Sequence, residues 1–189
     1  YKDNEKITEK RMAALNGLDC HLNFTQGRNG GIKSLEGLEY ALNIKSLDLA
    51  GNEVVDLSPL KACKNLEVLD LGDQYLYENN QYLTDISPLG ELINLKKLIL
   101  KNNKIVDVTA ISKLTKLEEL DLYGNKGIKS IDGFENLTKL RKLLLNRTMG
   151  ITDIAPLKEC MDLEELSIQY NKVSSIEALK NHEKLLSLD

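Results

Sequence analysis

The sequence is most informative first through what it lacks. Its 189 residues include no tryptophan, 5% aromatic residues and only three cysteines, three prolines and two histidines. No apolar run approaches the roughly 18–20 residues that a membrane-spanning helix needs. The formal net charge of −4, with 29% charged residues, gives no basic surface for nucleic acid and no charge cluster for a membrane. We therefore expect neither a nucleic-acid partner nor membrane insertion.

Motifs of catalytic sites are missing as well. The sequence has no phosphate-binding glycine loop, no HExxH or CxxC motif, and no Ser/His/Asp order with a nucleophile elbow. With only His21 and His182 available, a histidine-based site is not expected. The sequence therefore predicts a protein without enzymatic activity and without a cofactor.

What the chain does contain is an internal repeat of 22 or 23 residues. Aligned on their leucines, five units begin at residues 44, 95, 117, 140 and 163, and two longer units of 29 residues span 15–43 and 66–94. The shared pattern is LxxLxLxxN, followed by IxxI/L and LxxL. Repetition at this period indicates a solenoid, in which coils stack because none can bury its own apolar edge.

Each unit predicts one short strand and one short turn. The LxL segment alternates with period two, which is typical of a half-buried strand with inward leucines. Later apolar residues recur every third position, which suits a 3₁₀ or helical turn. All three prolines stand at the start of this turn, where a missing N–H costs little. At the ninth position an asparagine is predicted to satisfy backbone groups where the chain leaves the strand: Asn52, Asn103, Asn125 and Asn171.

The two ends of the chain depart from the repeat. Residues 1–14 have a helix-forming composition with Ile7 and Met12 on roughly one face, so they predict a helix that caps the first coil. Residues 15–189 then form about seven coils, and the last one, starting at LLSLD, is incomplete. We expect the apolar edge there to be covered, either by further chain of a longer protein or by another molecule.

The repeat register places the cysteines in the core. Cys63 and Cys160 occupy a position that holds leucine in other coils, and Cys20 falls at an inward strand position. Cys63 and Cys160 lie roughly 19 Å apart at a strand spacing of about 4.8 Å, which is too far for a disulfide. We expect buried free thiols rather than metal ligands. His182 shares the position of Cys63 near the chain end, so we expect it to be only partly covered.

These motifs resemble the leucine-rich repeat family, in its internalin-like subclass of 22-residue repeats. The run ITEKRMAALNGLDC followed by GIKSLEGLEYALNIKSLDLAGNEVVDLSPL is similar to the N-terminal cap and first repeats of those proteins. The resemblance covers roughly residues 5–189. It implies an α/β solenoid: a right-handed curved horseshoe with a parallel strand ladder on the concave face and short 3₁₀ or helical turns on the convex face.

The resemblance also carries functional expectations. It implies a secreted or surface-attached bacterial protein whose concave face binds a protein partner. Intracellular leucine-rich repeat regulators of phosphatases share the repeat length but match the N-terminal cap less well, so a cytoplasmic scaffold stays an alternative. A spacer that presents neighbouring domains is a further alternative. The two insertions of seven residues, in units 15–43 and 66–94, depart from the family pattern.

Outward strand positions form columns and predict where a partner binds. The central column is mostly aspartate, but Ile99 and Leu144 are apolar there, which folding does not require. With Tyr123 and Tyr170 they predict an aromatic and apolar patch with a charged rim. Tyrosines of the second insertion extend the predicted protein-binding set, which is Lys97, Ile99, Lys101, Glu119, Tyr123, Lys142, Leu144, Arg147, Tyr170, Tyr75 and Tyr77.

Each part of this surface has a plainer interpretation. The tyrosines of DQYLYENNQYLT (73–84) can pack back over the coil flank instead of binding, and the lysines and glutamates of the patch rim, about 5 Å apart on neighbouring strands, can simply pair. The outward aspartates can be a solvated default of the repeat. A calcium ion held by stacked carboxylates is the alternative for the first coils, at Asp19, Asp48, Asp70 and Asp73.

Overall fold

The computed structural model describes residues 8–22, 31–76 and 81–189. Two residues of the sequence predictions, Ile7 of the cap and Tyr77 of the binding set, lie outside these ranges. Within them the chain runs through a regular alternation of short strands and 3₁₀ turns, preceded by one short helix. The strands in chain order are β1 Gly17–Asp19, β2 Ser46–Asp48, β3 Val68–Asp70, β4 Tyr75–Leu76, β5 Gln81–Tyr82, β6 Lys97–Ile99, β7 Glu119–Asp121, β8 Lys142–Leu144, β9 Glu165–Ser167 and β10 Ser187–Leu188.

Eight of the described strands form one open parallel sheet in the order β1-β2-β3-β6-β7-β8-β9-β10. Neighbouring strands pair without any offset, so that Leu47, Leu69 and Leu98 lie side by side and the pattern continues in the following coils. The residue before and the residue after each of these leucines face away from the core. The columns expected from the repeat are therefore real rows across the sheet, and the predicted solenoid with a parallel strand ladder and short 3₁₀ turns is confirmed.

The turns that close each coil are short 3₁₀ helices. The three prolines lie in the first positions of three of these turns, as the sequence predicts. Before four of the turns an aspartate caps the chain, and one example is Asp107, whose Oδ1 accepts the Thr109 N–H at 2.8 Å. The described turns are Leu38–Tyr40, Ser58–Ala62, Ser87–Glu91, Thr109–Lys113, Phe134–Asn136, Ala155–Glu159 and Glu177–Leu179.

The core is the space between the sheet and these turns. The inward leucines of the strands and the apolar residues of the turns are fully buried in the central coils, where most are 0–1% exposed. The helix α1, Glu9–Ala13, begins after Thr8 and packs Met12 against the first coil. Residues 1–7 of the predicted segment 1–14 lie outside the described residues, and the role of the helix as a cap for the first coil stays a prediction.

An asparagine, buried or partly buried, holds the corner after four of the described strands, β2, β6, β7 and β9. In Asn125, the Nδ2 amide donates to the backbone oxygens of Leu100 and Leu122, both at 3.0 Å, and Oδ1 accepts the Ile105 N–H at 3.1 Å. One of these three partners, Leu122, belongs to the same coil as Asn125, and the other two belong to the preceding coil. Asn52, Asn103 and Asn171 repeat the arrangement. This is the role that the sequence predicts for the ninth position.

In two coils the corner hydrogen bonds are made by a side chain other than asparagine. Gln74 stands in place of asparagine, is fully buried, and donates to Leu49 and Gly72 while it accepts the Val54 N–H. Thr148 is also buried; its hydroxyl lies 2.9 Å from the Leu145 oxygen and 2.7 Å from Asn171 Oδ1. The requirement is thus for a buried hydrogen-bonding group at this corner, and asparagine is its commonest form.

The structure confirms the predicted burial of two thiols, and it corrects the predicted burial of Cys20 and the predicted exposure of His182. Cys63 and Cys160 are buried free thiols, each 3.3 Å from a backbone oxygen of the preceding coil, whereas Cys20 is only partly buried. Burial raises the pKa of Cys63 to about 11 and that of Cys160 to about 12. His182, expected to be partly covered, is in fact buried, because its ring turns inward and places Nε2 3.0 Å from the Leu157 oxygen.

We expect Asn125→Ala to lower the free energy of unfolding by about 2–4 kcal/mol, because it removes three hydrogen bonds in a buried corner and leaves the Ile105 N–H without an acceptor. Urea unfolding followed by circular dichroism measures the loss. Asn136→Ala is the matched control: this asparagine is exposed in a 3₁₀ turn, so its removal should change stability by less than about 0.5 kcal/mol. Equal losses in the two variants would contradict the role given to the corner asparagine.

Candidate binding face

The outward column of the central strands is a mixed surface. Because the strands pair in register, Ile99, Asp121, Leu144 and Ser167 lie in one row across β6 to β9. Ile99 and Leu144 are both half-buried, and Asp121 lies between them. The two apolar side chains therefore flank a carboxylate, at a mutual spacing of about 10 Å for two strand steps.

The charged rim is paired internally. Lys97 Nζ lies 2.6 Å from Glu119 Oε2, and Lys142 Nζ lies 2.7 Å from Glu165 Oε2. These distances confirm the plainer expectation that the alternating lysines and glutamates pair with one another. Lys101 Nζ is 3.8 Å from Asp73 Oδ2. Four predicted binding residues, Lys97, Lys101, Glu119 and Lys142, thus have their charges balanced by neighbours on the same face.

Arg147 differs from these lysines. Its guanidinium lies 5.9 Å from the ring centre of Tyr123 and 5.2 Å from that of Tyr170, so it stands between two tyrosines on neighbouring coils. Tyr123 is half-buried, whereas Arg147 and Tyr170 are exposed, Tyr170 by 64%. Among the residues that the structure describes, no carboxylate pairs with Arg147. The structure thus brings together three residues of the predicted set at the edge of the sheet.

Two residues of this cluster have an unusual backbone conformation. Arg147 has φ of 60° and Tyr170 has φ of 59°, both in the left-handed region. They occupy the position just before the hydrogen-bonding residue of the corner, where other coils carry Gly51, Asp73, Asn102 or Gly124. Glycine and asparagine adopt this conformation easily, but for a residue with a larger side chain it costs about 1–2 kcal/mol of conformational free energy. Sequence reasoning overlooked this cost, although the departure from glycine and asparagine is visible in the repeat alignment.

The outward aspartates are more than a solvated default. Asp121 Oδ1 accepts the Tyr123 N–H at 2.9 Å, and Asp70 Oδ1 accepts the Gly72 N–H at 2.8 Å, so each carboxylate fixes the start of the corner. Burial raises the pKa of Asp121, and it likewise raises the pKa of Asp70. The centre of the binding face therefore holds a carboxylate that is already disfavoured in its charged form.

A cluster of one histidine and two aspartates lies on the first two coils. His21 Nδ1 lies 2.6 Å from Asp19 Oδ1 and 4.0 Å from Asp48 Oδ2, an arrangement within which a cation would fit. The hydrogen bond to Asp19 raises the pKa of His21, and the same bond lowers the pKa of Asp19. Asp73 of the calcium hypothesis lies elsewhere, beside Lys101. His21 was absent from that hypothesis, and the calcium site stays untested.

Two short strands of the tyrosine-rich insertion, β4 and β5, pair in antiparallel orientation. Tyr75 and Tyr82 face each other across this pair of strands, with ring centres 4.5 Å apart and planes tilted by 40°. Lys104 Nζ lies 3.7 Å from the Tyr82 ring centre. Both rings are half-buried, which agrees with packing onto these strands and the adjacent coil. A binding role for Tyr75 stays a prediction.

Comparison with known proteins places this geometry in a family. A family model described as Leucine Rich repeats (2 copies) matches residues 42–91, 93–136 and 138–181. The chain belongs to the leucine-rich repeat family. This family is typically non-enzymatic and used for protein–protein interaction, and its members give the horseshoe solenoid seen here.

Among solved structures, the leucine-rich repeat chain resembles two internalins from Listeria monocytogenes. Internalin InlF superposes with a TM-score of 0.87 at 28% identity, over 99% of this chain and 51% of the InlF chain. Internalin InlC2 gives a TM-score of 0.67 at 27% identity, over 97% of this chain and 84% of its own. These likenesses support a bacterial internalin-like protein.

One plant relative is a homologue of a phosphatase regulator, the class that the sequence analysis gives as the alternative. A homologue of the protein phosphatase 1 regulatory inhibitor subunit from Arabidopsis thaliana is 29% identical over 158 residues, which is 83% of this chain. The chain spans 47% of that relative and about half of InlF, as given above. None of the described helices has the length and apolar character needed to cross a membrane.

We expect Asp121→Asn to raise the melting temperature near pH 7, because asparagine keeps the acceptor for the Tyr123 N–H but removes a charge that burial disfavours. A carboxyl with a raised pKa in the folded state weakens that state above this pKa, so the advantage should vanish near pH 3, where both states are protonated. Thermal melts at the two pH values measure this difference.

Asp107→Asn is the control of opposite sign. The Thr109 N–H lowers the pKa of Asp107, so its charge stabilises the folded state above the ordinary carboxyl pKa. Asp107→Asn should therefore lower the melting temperature near pH 7. A fall for Asp121→Asn as well would show that its carboxylate is stabilised by Lys101 and Lys142 more than burial disfavours it.

Proposed function

We propose that this chain is a non-enzymatic module that binds a protein partner on the concave face of the solenoid, across β6 to β9. Binding proteins is what the leucine-rich repeat fold typically does, and the fold leaves the outward columns of this sheet free for it. The proposed contact residues are those of the predicted set that surround Leu144 and Tyr123.

One observation carries the proposal. On a face where most outward positions are charged or polar, the central coils present Ile99, Leu144 and Tyr123 half-buried, with the exposed Tyr170 beside them. Folding does not need these side chains, because the strand leucines on the opposite face already form the core. Aromatic and apolar groups within a charged rim are typical of protein-binding surfaces.

We also propose a bacterial secreted or surface location and the 22-residue internalin-like subclass. Support comes from the likeness to InlF and InlC2 over nearly the whole chain. An intracellular regulatory scaffold is the second candidate, supported by the phosphatase-subunit homologue. A cell-fractionation experiment on the native organism, with an antibody against the repeats, separates these locations: recovery in the cytoplasmic fraction would favour the scaffold.

The binding proposal predicts a loss of affinity in Tyr123→Ala/Leu144→Ala. The probe is a phage-displayed library of random peptides selected on the wild-type protein, followed by affinity measurement with synthetic copies of the enriched peptides. Truncation of two central contacts should weaken binding by about 10–100-fold, since interface energy concentrates in a few such residues. Melting temperatures of both proteins show whether the variant still folds.

Tyr40→Ala/Ile93→Ala is the matched control, with one tyrosine and one aliphatic residue outside the sheet and 42% and 55% exposed. Its affinity for the same peptides should equal that of the wild type. Peptides that bind the wild type and Tyr123→Ala/Leu144→Ala equally would contradict the proposed face, and so would a library from which nothing is enriched. In that case the spacer interpretation would be preferred.

A further inference from the structure

We propose that the Arg147 guanidinium, held between Tyr123 and Tyr170, binds the carboxylate of an aspartate or glutamate side chain on the protein partner. This inference rests on the proposed protein-binding function and specifies the chemistry at one end of the same face. It is carried by the pairing of charges, the geometry of the tyrosines and the backbone conformation of Arg147.

The first argument is that Arg147 is the exception among the cations of this face. Lys97, Lys101 and Lys142 each have a carboxylate within 4 Å, as given above, and Arg141 forms two hydrogen bonds with Glu164, at 2.9 and 3.0 Å. Across the residues described by the structure, Arg147 has only the two tyrosine rings as partners for its charge. Its guanidinium N–H donors are therefore available to an incoming acceptor.

The second argument is that the tyrosines restrict the guanidinium without satisfying it. Ring faces at 5.2 and 5.9 Å attract the cation but accept no fork-shaped pair of hydrogen bonds. A guanidinium held in this way loses less side-chain freedom on binding, and its planar fork matches a carboxylate through two parallel N–H···O bonds. The site is thus arranged for an oxyanion that approaches from solvent.

The third argument is the cost of placing arginine there. Arg147 has a φ of 60°, at a position where glycine in two other coils adopts the same conformation with less strain. Neither the core nor the corner hydrogen bonds use its side chain, since the corner is held by Thr148. Strain that the fold does not require is commonly found at functional sites.

The neighbouring residues orient the partner. Asp121, at the centre of the face, repels a second carboxylate, so the acidic residue of the partner belongs at the loop edge beside Arg147 and not over the strands. Leu144 lies three residues earlier in the same coil and offers an apolar contact toward the centre. The expected partner segment therefore carries an acidic side chain close to an apolar or aromatic one.

The experiment uses peptides enriched from the phage library on the wild-type protein, and Arg147→Gln as the main variant. The enriched peptides should share an Asp or Glu position, and Arg147→Gln should weaken their binding by about 10–100-fold. Replacing that Asp or Glu by its amide in the peptide should cost a similar factor. The two changes together should cost little more than either alone, because they remove the same contact.

Two further variants sharpen the result. Arg141→Gln removes an arginine of the same face that is already paired with Glu164, and it should leave affinity within about twofold, as the loss of an exposed ion pair does. Arg147→Lys keeps the charge but not the fork, so it should recover only part of the lost affinity. Melting temperatures confirm that all three variants fold.

The outcomes separate this inference from the proposed function. Peptides that require Tyr123 and Leu144 but share no acidic position, and that bind Arg147→Gln as well as the wild type, would overturn the carboxylate site and leave the binding face intact. A peptide with phosphoserine in place of the acidic residue tests the other oxyanion. If the phosphoserine peptide binds and the peptides with Asp or Glu do not, the site recognises phosphate and the proposal is overturned. Peptides indifferent to every variant would overturn both.

Discussion

The corner hydrogen bonds after each strand are the constraint on which the rest of the solenoid depends. Asn125 joins its own strand to the preceding coil through one side chain, and it does so in a buried place where no solvent molecule can substitute. Because one amide must reach partners in two coils, the coils cannot slip relative to each other. The in-register sheet and the outward columns follow from that requirement.

A repeat constrained in this way leaves few positions free to vary for function. Inward residues must fill the core, and the corner must hold a hydrogen-bonding group. The remaining freedom lies in the outward strand positions and in the left-handed residue before the corner. Ile99 and Leu144 use the first kind of freedom, and Arg147 and Tyr170 use the second. The proposed function therefore rests on departures from the repeat, at positions where the departure does not contribute to the fold.

The period of the sequence was enough to predict the solenoid, the strand positions, the corner asparagines and the turn prolines, because each of these repeats along the chain. Features that depend on a single local contact were not predictable. The burial of His182 accompanies one hydrogen bond to the Leu157 oxygen, which its position in the repeat does not reveal. Likewise, the contact between the rings of Tyr75 and Tyr82 depends on the antiparallel pairing of β4 with β5, which composition does not encode.

The electrostatics of the face bear on how a partner is recognised. Because Lys97 and Lys142 are neutralised by glutamates on the adjacent strands, the rows of charge produce little field at a distance, and long-range attraction of a charged partner is not built into them. On the proposed binding face, discrimination would then come from short-range contacts: apolar burial beside Leu144 and one unpaired cation, Arg147, at the edge. A surface of this kind selects partners by shape and by a single matched charge, and it repels an anion placed over Asp121, so that both attraction and repulsion limit the ways in which a segment can lie across the coils.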